Sequence, residues 1–232
     1  QDVLSQSCQF DEVEFEVSPS RYRGVGRMRP DAAEVLQAVA LLREARRPLI
    51  VAGGGVAASG AAELVPTHAQ RWGAPVLPTQ MALGVVASGS DHFIGHGGLI
   101  AGEPVRQAFE GADLVLAGGC RWSSWMWDER GPLARRSGRL VSINVDPSAL
   151  GQPALHELGM QADARAALAD LLAACGDDLG QGVDRDWLPG LRHARAAYEA
   201  RLAELGRQGD AGQPMHPAAL AAAIGNALPA DA

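Results

Sequence analysis

Five consecutive apolar residues, Pro48-Leu49-Ile50-Val51-Ala52, run without a break into Gly53-Gly54-Gly55. A strand with one face in water alternates apolar and polar residues, so a run with no polar position marks a strand covered on both faces. The unit recurs. Ala74-Pro75-Val76-Leu77-Pro78 is apolar, Asp113-Leu114-Val115-Leu116-Ala117 leads into Gly118-Gly119, and Arg139 to Val145 leads into Asp146-Pro147. Helical spacing fills the intervals. Asp31 is placed to cap a helix into which Glu34 reaches back, with Val35, Ala38, Val39, Leu42 and Ala45 on one side, until Pro48 stops it. Further helices are predicted from Ser59 to about Trp72, from Pro104 to Glu110 and from Ala164 to Ala174, and Pro66 implies a kink or a late start in the first of these. Strands alternating with helices predict an α/β fold: a doubly wound, mainly parallel Rossmann-like sheet with helices on both faces.

The 232 residues, 47% of them hydrophobic, provide one such sheet and extra segments at both ends. The first 28 residues lack helical periodicity and carry Ser18, Pro19, Ser20, Gly24 and Gly26, the composition of a linker. Beyond Gly176 the pattern changes to a long polar helix, about Asp184 to Leu205, then Gly-rich residues 206–213 and an Ala-rich helix from His216 to Leu228. The expected organisation is a linker over 1–29, a nucleotide-fold domain over 30–176 and a helical linker with a further segment over 177–232. A net charge of −7, with no basic cluster beyond Arg135, Arg136 and Arg139, argues against nucleic acid as a partner. Cys8, Cys120 and Cys175 are odd in number and far apart, which provides neither a disulfide framework nor a Cys-x-x-Cys metal site and makes a reducing cytoplasm the default. Neither a membrane span nor a signal peptide is expected, since no apolar stretch reaches about 18 residues and Gln1 to Glu16 is polar and acidic.

Gly53-x-Gly55-x-x-Ala58 after a buried strand fits the G-x-G-x-x-A pattern, in which missing side chains let a phosphate approach backbone N–H groups. A tight strand-to-helix turn with no ligand needs the same glycines. Gly118-Gly119 forms a second such turn, again at the carboxyl end of a strand, where open α/β sheets bind ligands. Other groups point less to chemistry. His92 and His96 sit among Gly95, Gly97 and Gly98, in a loop rather than on a helix face. Trp122, Trp125 and Trp127 suit core or interface packing, with stacking on an aromatic ligand the alternative. Asp128-Glu129-Arg130 reads as a solvated charge trio, and Cys120 has no evident base to make it a nucleophile. An NAD-dependent dehydrogenase would need an acid ending the second strand, and Pro75 to Thr79 has none.

Three stretches together, Arg46 to Val56 with Ser59-Gly60-Ala61, then Gly73 to Thr79, Asp91-His92 and Ala112 to Arg121, then Ile143-Asn144-Val145-Asp146-Pro147 with Gly151, resemble the central domain of thiamine-diphosphate-dependent enzymes, especially the acetolactate synthase-like group. Gln1-Asp2-Val3 looks like the last strand of that family's pyrimidine-binding domain, and Met215 to Asp231 like the opening helix of its diphosphate-binding domain. The resemblance implies a middle domain of an enzyme acting on 2-oxo acids, with both catalytic neighbours and the sites for thiamine diphosphate and Mg²⁺ outside this chain. It implies no catalytic residue here, no activity of this chain alone, and a homo-oligomeric whole. In acetolactate synthase-like members the central domain binds FAD, in some relatives ADP, and in many decarboxylases nothing. The positions that the resemblance makes candidates for nucleotide contact are Gly53, Gly54, Gly55, Thr79, Gln80, Gly98, Gly119, Cys120, Arg121, Asn144, Val145, Ala162 and Asp163. This chain departs from the FAD-binding pattern at Gly98-Leu99-Ile100-Ala101, where those relatives have Gly-Met-His-Gly. It departs again at Ser123, where an acid is usual, and at Leu83, where a lysine is common.

Overall fold

Strands β1 (Pro48–Ala52), β2 (Val76–Pro78), β3 (Leu114–Gly118), β4 (Arg139–Asn144) and β5 (Leu158–Gln161) form one parallel sheet in the order β2-β1-β3-β4-β5. The computed structural model describes residues 18, 21, 26–98, 100–123, 126, 138–151, 156–176, 179–209 and 215–228. Leu99, Trp125, Trp127, Asp128-Glu129-Arg130, Arg135, Arg136, Cys8 and the segment Gln1-Asp2-Val3 lie outside the described residues.

The apolar runs do what their composition demands. In β1, Leu49 and Val51 join one core with Leu77, Val115, Ala117 and Leu140, while Ile50 and Ala52 join another with Val76, Leu114, Leu116, Val141 and Ile143. Successive side chains point to opposite faces, so a strand apolar at every position needs a helical layer on each side. The core around Ile50 is closed by α1 (Ala32–Glu44), α3 (Leu64–Trp72) and α5 (Ala164–Cys175), and the core around Leu49 by α4 (Glu103–Gly111) and the start of α6 (Trp187–Gly209). α7 (Pro217–Ala227) packs against α6. At the start of α1, Asp31 accepts from the Ala33 N–H at 2.8 Å while the Asp31 N–H donates to Glu34 at 2.9 Å, the reciprocal cap that the sequence predicts.

Three expectations change. The helix predicted from Ser59 starts only at Leu64, as α3, and a separate short helix that the sequence does not predict, α2 (Gly54–Ala58), begins directly after the glycine turn, with Gly60 at φ +67° following its end. Pro66 lies in the first turn of α3, where its missing N–H has no helical carbonyl to meet, so the helix starts late and need not kink. β5 is absent from the predicted strands. The core also does not end at Cys175. Trp187 buries its ring in the core around Leu49 and donates its indole N–H to the Pro48 carbonyl at 2.7 Å, and Leu191 follows it inward, so the polar helix begins as part of the domain.

β1 leads by crossover to β2 on one side, whereas β3 lies on its other side. The chain therefore reverses its direction of winding between β1 and β3. Above the carboxyl ends of that pair the two crossovers diverge, and a crevice opens there.

Candidate functional site

The floor of the crevice is a contact between two glycine turns. The Gly53 N–H donates to the Gly118 carbonyl at 2.7 Å, the Gly55 N–H to the Gly119 carbonyl at 3.1 Å, and the Gly119 N–H to the Ile143 carbonyl at 2.7 Å. A Cβ on Gly53 would lie 2.3 Å from the Gly119 carbonyl oxygen, and one on Gly55 would lie 2.7 Å from the Gly119 Cα. Gly119 itself sits at φ +61°, where a side chain is strained. The glycines are thus required by turn-on-turn packing. The N–H groups of Gly53 and Gly55 already have backbone acceptors, so neither is bare toward a phosphate. Gly53 lies beneath the floor and does not line the crevice, whereas Gly54, Gly55 and Gly119 do.

The crevice has a volume of about 850 Å³, within the ordinary range of ligand clefts. Strand ends supply its other walls. Thr79 and Gln80 follow β2, Cys120 and Arg121 follow β3, Asn144 ends β4 and Val145 follows it, all six lining the crevice. The Thr79 N–H is tied to the Ala52 carbonyl at 2.8 Å. Asn144 braces two walls at once, its Nδ2 donating to the Cys120 carbonyl at 2.9 Å and its Oδ1 accepting from the Asp146 N–H at 3.0 Å. Asp146 also lines the crevice; its carboxyl is held below the usual range by the Ser148 hydroxyl and the Ser148 N–H, which both donate to it. Burial pushes the Cys120 thiol up to about 12, so it is a packed thiol and not a nucleophile at neutral pH. Arg121 is exposed at the rim and forms no ion pair among the described residues, which leaves its guanidinium available to an anion.

A smaller recess of about 190 Å³ shares Gly55, Gly119, Asn144 and Val145 with the crevice and is closed by Ala162, Asp163 and Arg27. Asp163 caps α5 through the Ala166 N–H at 3.1 Å, and both its oxygens receive Arg27 at 3.0 Å. Its N–H donates to the Met28 carbonyl at 2.9 Å. The carboxylate therefore fastens residues 27–28 over the recess and has little capacity left for a ligand. Gly98, at φ +143°, stands one residue beyond the lining; the wall there is Gly97, held by its N–H to the Pro78 carbonyl at 2.9 Å. His92 donates from Nδ1 to the Ala74 carbonyl at 2.8 Å, a structural bond. Among the described residues no group of three His, Cys, Asp or Glu is placed to hold a metal ion, and no helix is long and apolar enough to cross a membrane.

Met81, Met126 and Trp122 also line the crevice; sequence reasoning offers neither methionine and gives Trp122 only as an alternative stacking residue. Trp122 is 6% exposed, its backbone has φ +54°, and its buried Nε1 has no hydrogen-bond partner among the described residues. A left-handed backbone costs a non-glycine residue about 1–2 kcal/mol, and an unpaired buried donor adds about 1–3 kcal/mol. Its place directly behind the Gly119-Cys120-Arg121 turn is the sequence cue; neither its φ nor its unpaired nitrogen leaves a trace in the sequence.

The chain matches the family model described as thiamine pyrophosphate enzyme, central domain, over residues 35–171, which spans β1 to β5 and most of both cores. It is 30% identical over 170 residues to the acetolactate synthase large subunit of Corynebacterium glutamicum, covering 73% of this chain and 27% of that protein. It is 31% identical over 174 residues to the glyoxylate carboligase of Escherichia coli O157:H7, covering 73% and 28%. With the 3D-(3,5/4)-trihydroxycyclohexane-1,2-dione hydrolase of Bacillus licheniformis it shares 28% over 171 residues, covering 74% and 26%. The chain thus spans about a quarter of the length of these curated relatives. With the family model matching more than half of the chain and spanning its parallel sheet, the chain belongs to the central-domain family of thiamine pyrophosphate enzymes.

Proposed function

We propose that the chain is the scaffold of a longer thiamine-diphosphate-dependent enzyme acting on 2-oxo acids, of the acetolactate synthase- or decarboxylase-like kind. The observation that carries this reading is the match to a central domain over the span of the sheet. In this reading residues 1–29 and 177–232 carry the connections to a pyrimidine-binding and a diphosphate-binding domain. Thiamine diphosphate and Mg²⁺ belong to those neighbours. When bound, thiamine diphosphate supplies the electron sink for cleaving or joining bonds beside the substrate carbonyl. The central domain sets the spacing of its neighbours. A cytoplasmic homo-oligomer is the form in which it works, and this chain alone is inactive.

The crevice favours a second reading, in which the domain also holds an FAD- or ADP-class nucleotide. A cleft of about 850 Å³ at the winding reversal, with side-chain-free walls at Gly54, Gly55, Gly97 and Gly119 and Arg121 at its rim, suits a flat ring and a phosphate. Both readings are tested by calorimetric titration of the chain with thiamine diphosphate plus Mg²⁺, FAD, ADP and NAD. The scaffold reading expects no saturable binding of thiamine diphosphate; saturation by it would place the catalytic site here and overturn the assignment. Saturation by FAD or ADP supports the nucleotide reading, with Arg121→Ala weakening it about tenfold through loss of one charge-assisted contact. Silence for FAD and ADP removes that reading, and binding of NAD alone overturns both.

A further inference from the structure

Three of the described tryptophans are buried, and two of them are satisfied. Trp72 donates to the Leu42 carbonyl at 2.9 Å and Trp187 to the Pro48 carbonyl at 2.7 Å, both inside the cores. Trp122 lines the crevice and donates to nothing. Buried indole N–H groups almost always find an acceptor, so this exception calls for one that the described residues do not provide. The backbone outlier falls at the same residue, and local strain of this kind gathers where ligands are clamped.

The chemistry around the indole narrows what the acceptor belongs to. Cys120, Met126 and Met81 share the crevice with it, and Gly97 and Gly119 leave backbone bare on either side. Thioethers, a neutral thiol and an indole favour an aromatic face, and a single neutral donor favours a carbonyl or ring nitrogen on its edge. Nε1 is covered as the chain is folded here, so a neighbour must move to expose it. Met126 can do so. Its side chain lies across the crevice against Gly97, where a Cβ would sit 3.1 Å from its Cε, and it has three rotatable bonds.

The geometry points to Trp122 as the residue that selects the ring of the crevice's ligand. Its indole N–H donates to a carbonyl or ring-nitrogen acceptor of a heteroaromatic base once the side chain that covers it moves aside. This inference rests on the nucleotide reading above, and its test separates the two. The indole N–H resonance of Trp122, identified by its loss in Trp122→Phe, is followed by nitrogen–proton correlation spectroscopy while the chain is titrated with FAD, ADP and, separately, inorganic pyrophosphate. The expected result is a downfield shift and slower solvent exchange with FAD or ADP, with affinity reduced about five- to tenfold in Trp122→Phe. Saturable binding that leaves this resonance and the Phe variant's affinity unchanged overturns the role of Trp122 and leaves the nucleotide reading standing. An equal shift with pyrophosphate overturns the assignment to a ring. Absence of saturable binding by either nucleotide overturns both. Where the Phe variant fails to fold, through-bond sequential assignment of the wild-type chain identifies the Trp122 resonance and the wild-type titration decides.

Discussion

The floor and the wall of the crevice are built by opposite rules. On the floor, Gly53, Gly55 and Gly119 bring two turns within backbone contact, their N–H groups all have carbonyl partners, and the left-handed conformation falls on a glycine. On the wall, the left-handed conformation falls on Trp122, and a buried donor has no partner. The floor is closed to change and already satisfied. The wall carries unspent hydrogen-bonding capacity and a movable methionine beside it. A glycine-rich turn after a buried strand therefore reports how two crossovers pack, whereas information about a ligand sits in the side chains that rise from them.

The largest expected effect comes from filling the floor. In Gly53→Ala the new methyl meets the Gly119 carbonyl oxygen at 2.3 Å and its carbon at 2.5 Å, both backbone atoms held by neighbouring strands. Relief requires separating β1 from β3 and breaking the 2.7 Å bond from Gly53 to Gly118. A loss of about 4 kcal/mol or more is expected, read as a collapse of the denaturant midpoint or as failure to fold. A loss under about 1 kcal/mol, within the ordinary surface range, would show that the floor gives way and break the contrast.

An unpaired atom alone does not make a wall, and His68 shows the difference. It lies 1% exposed between α3 and α5, donating from Nε2 to the Leu168 carbonyl at 2.9 Å while Nδ1 has no partner. Here the unpaired nitrogen is an acceptor sealed in the core, and its consequence is acid sensitivity. Burial lowers the imidazole from 6.5 to about 4. The unfolded chain therefore takes up this proton first as pH falls. The stability due to neutral His68 is complete above about pH 7 and is lost as pH falls from 6.5 towards 4, by about 3 kcal/mol in total. Denaturant midpoints of the chain and of His68→Gln, measured between pH 7.5 and pH 4.5, check this. The wild type should lose more across that window, and parallel curves would mean that the buried imidazole accepts its proton at no cost.

The sheet is legible in the sequence because Leu49, Val51, Val115 and their neighbours are apolar at every position, a pattern that only a doubly covered strand satisfies. β5 is not, because Leu158 and Gly159 are only partly covered and an edge strand leaves a short, mixed run. The start of α6 is hidden in a polar helix where Trp187 and Leu191 provide the inward contacts. In the site, position along the chain locates Thr79, Arg121 and Asn144, since strand ends at a winding reversal line the crevice. Position cannot tell that Gly53 lies under the floor or that Asp163 is spent on a helix cap and Arg27. Those roles belong to partners more than 60 residues away, Gly119 for the one and Arg27 for the other.

The smallest effect on stability, and the sharpest on the contrast, comes from moving the same substitution one residue along. Gly54 lies between Gly53 and Gly55, yet it lines the crevice, and a Cβ there meets the Met81 Cβ at 3.0 Å. Met81 is 76% exposed on the short turn Gln80–Ala82, so it can yield by a few tenths of an ångström. Gly54 is also the first residue of α2, where alanine gains up to about 1 kcal/mol of helix propensity over glycine. Gly54→Ala should therefore fold with a stability within about 1 kcal/mol of the parent while its methyl narrows the crevice and weakens FAD or ADP. Adjacent glycines carrying the same methyl would then fail in different assays, Gly53 in folding and Gly54 in binding. If Gly54→Ala unfolds the chain as Gly53→Ala does, floor and crevice are one packed unit and the site has less freedom than its volume suggests.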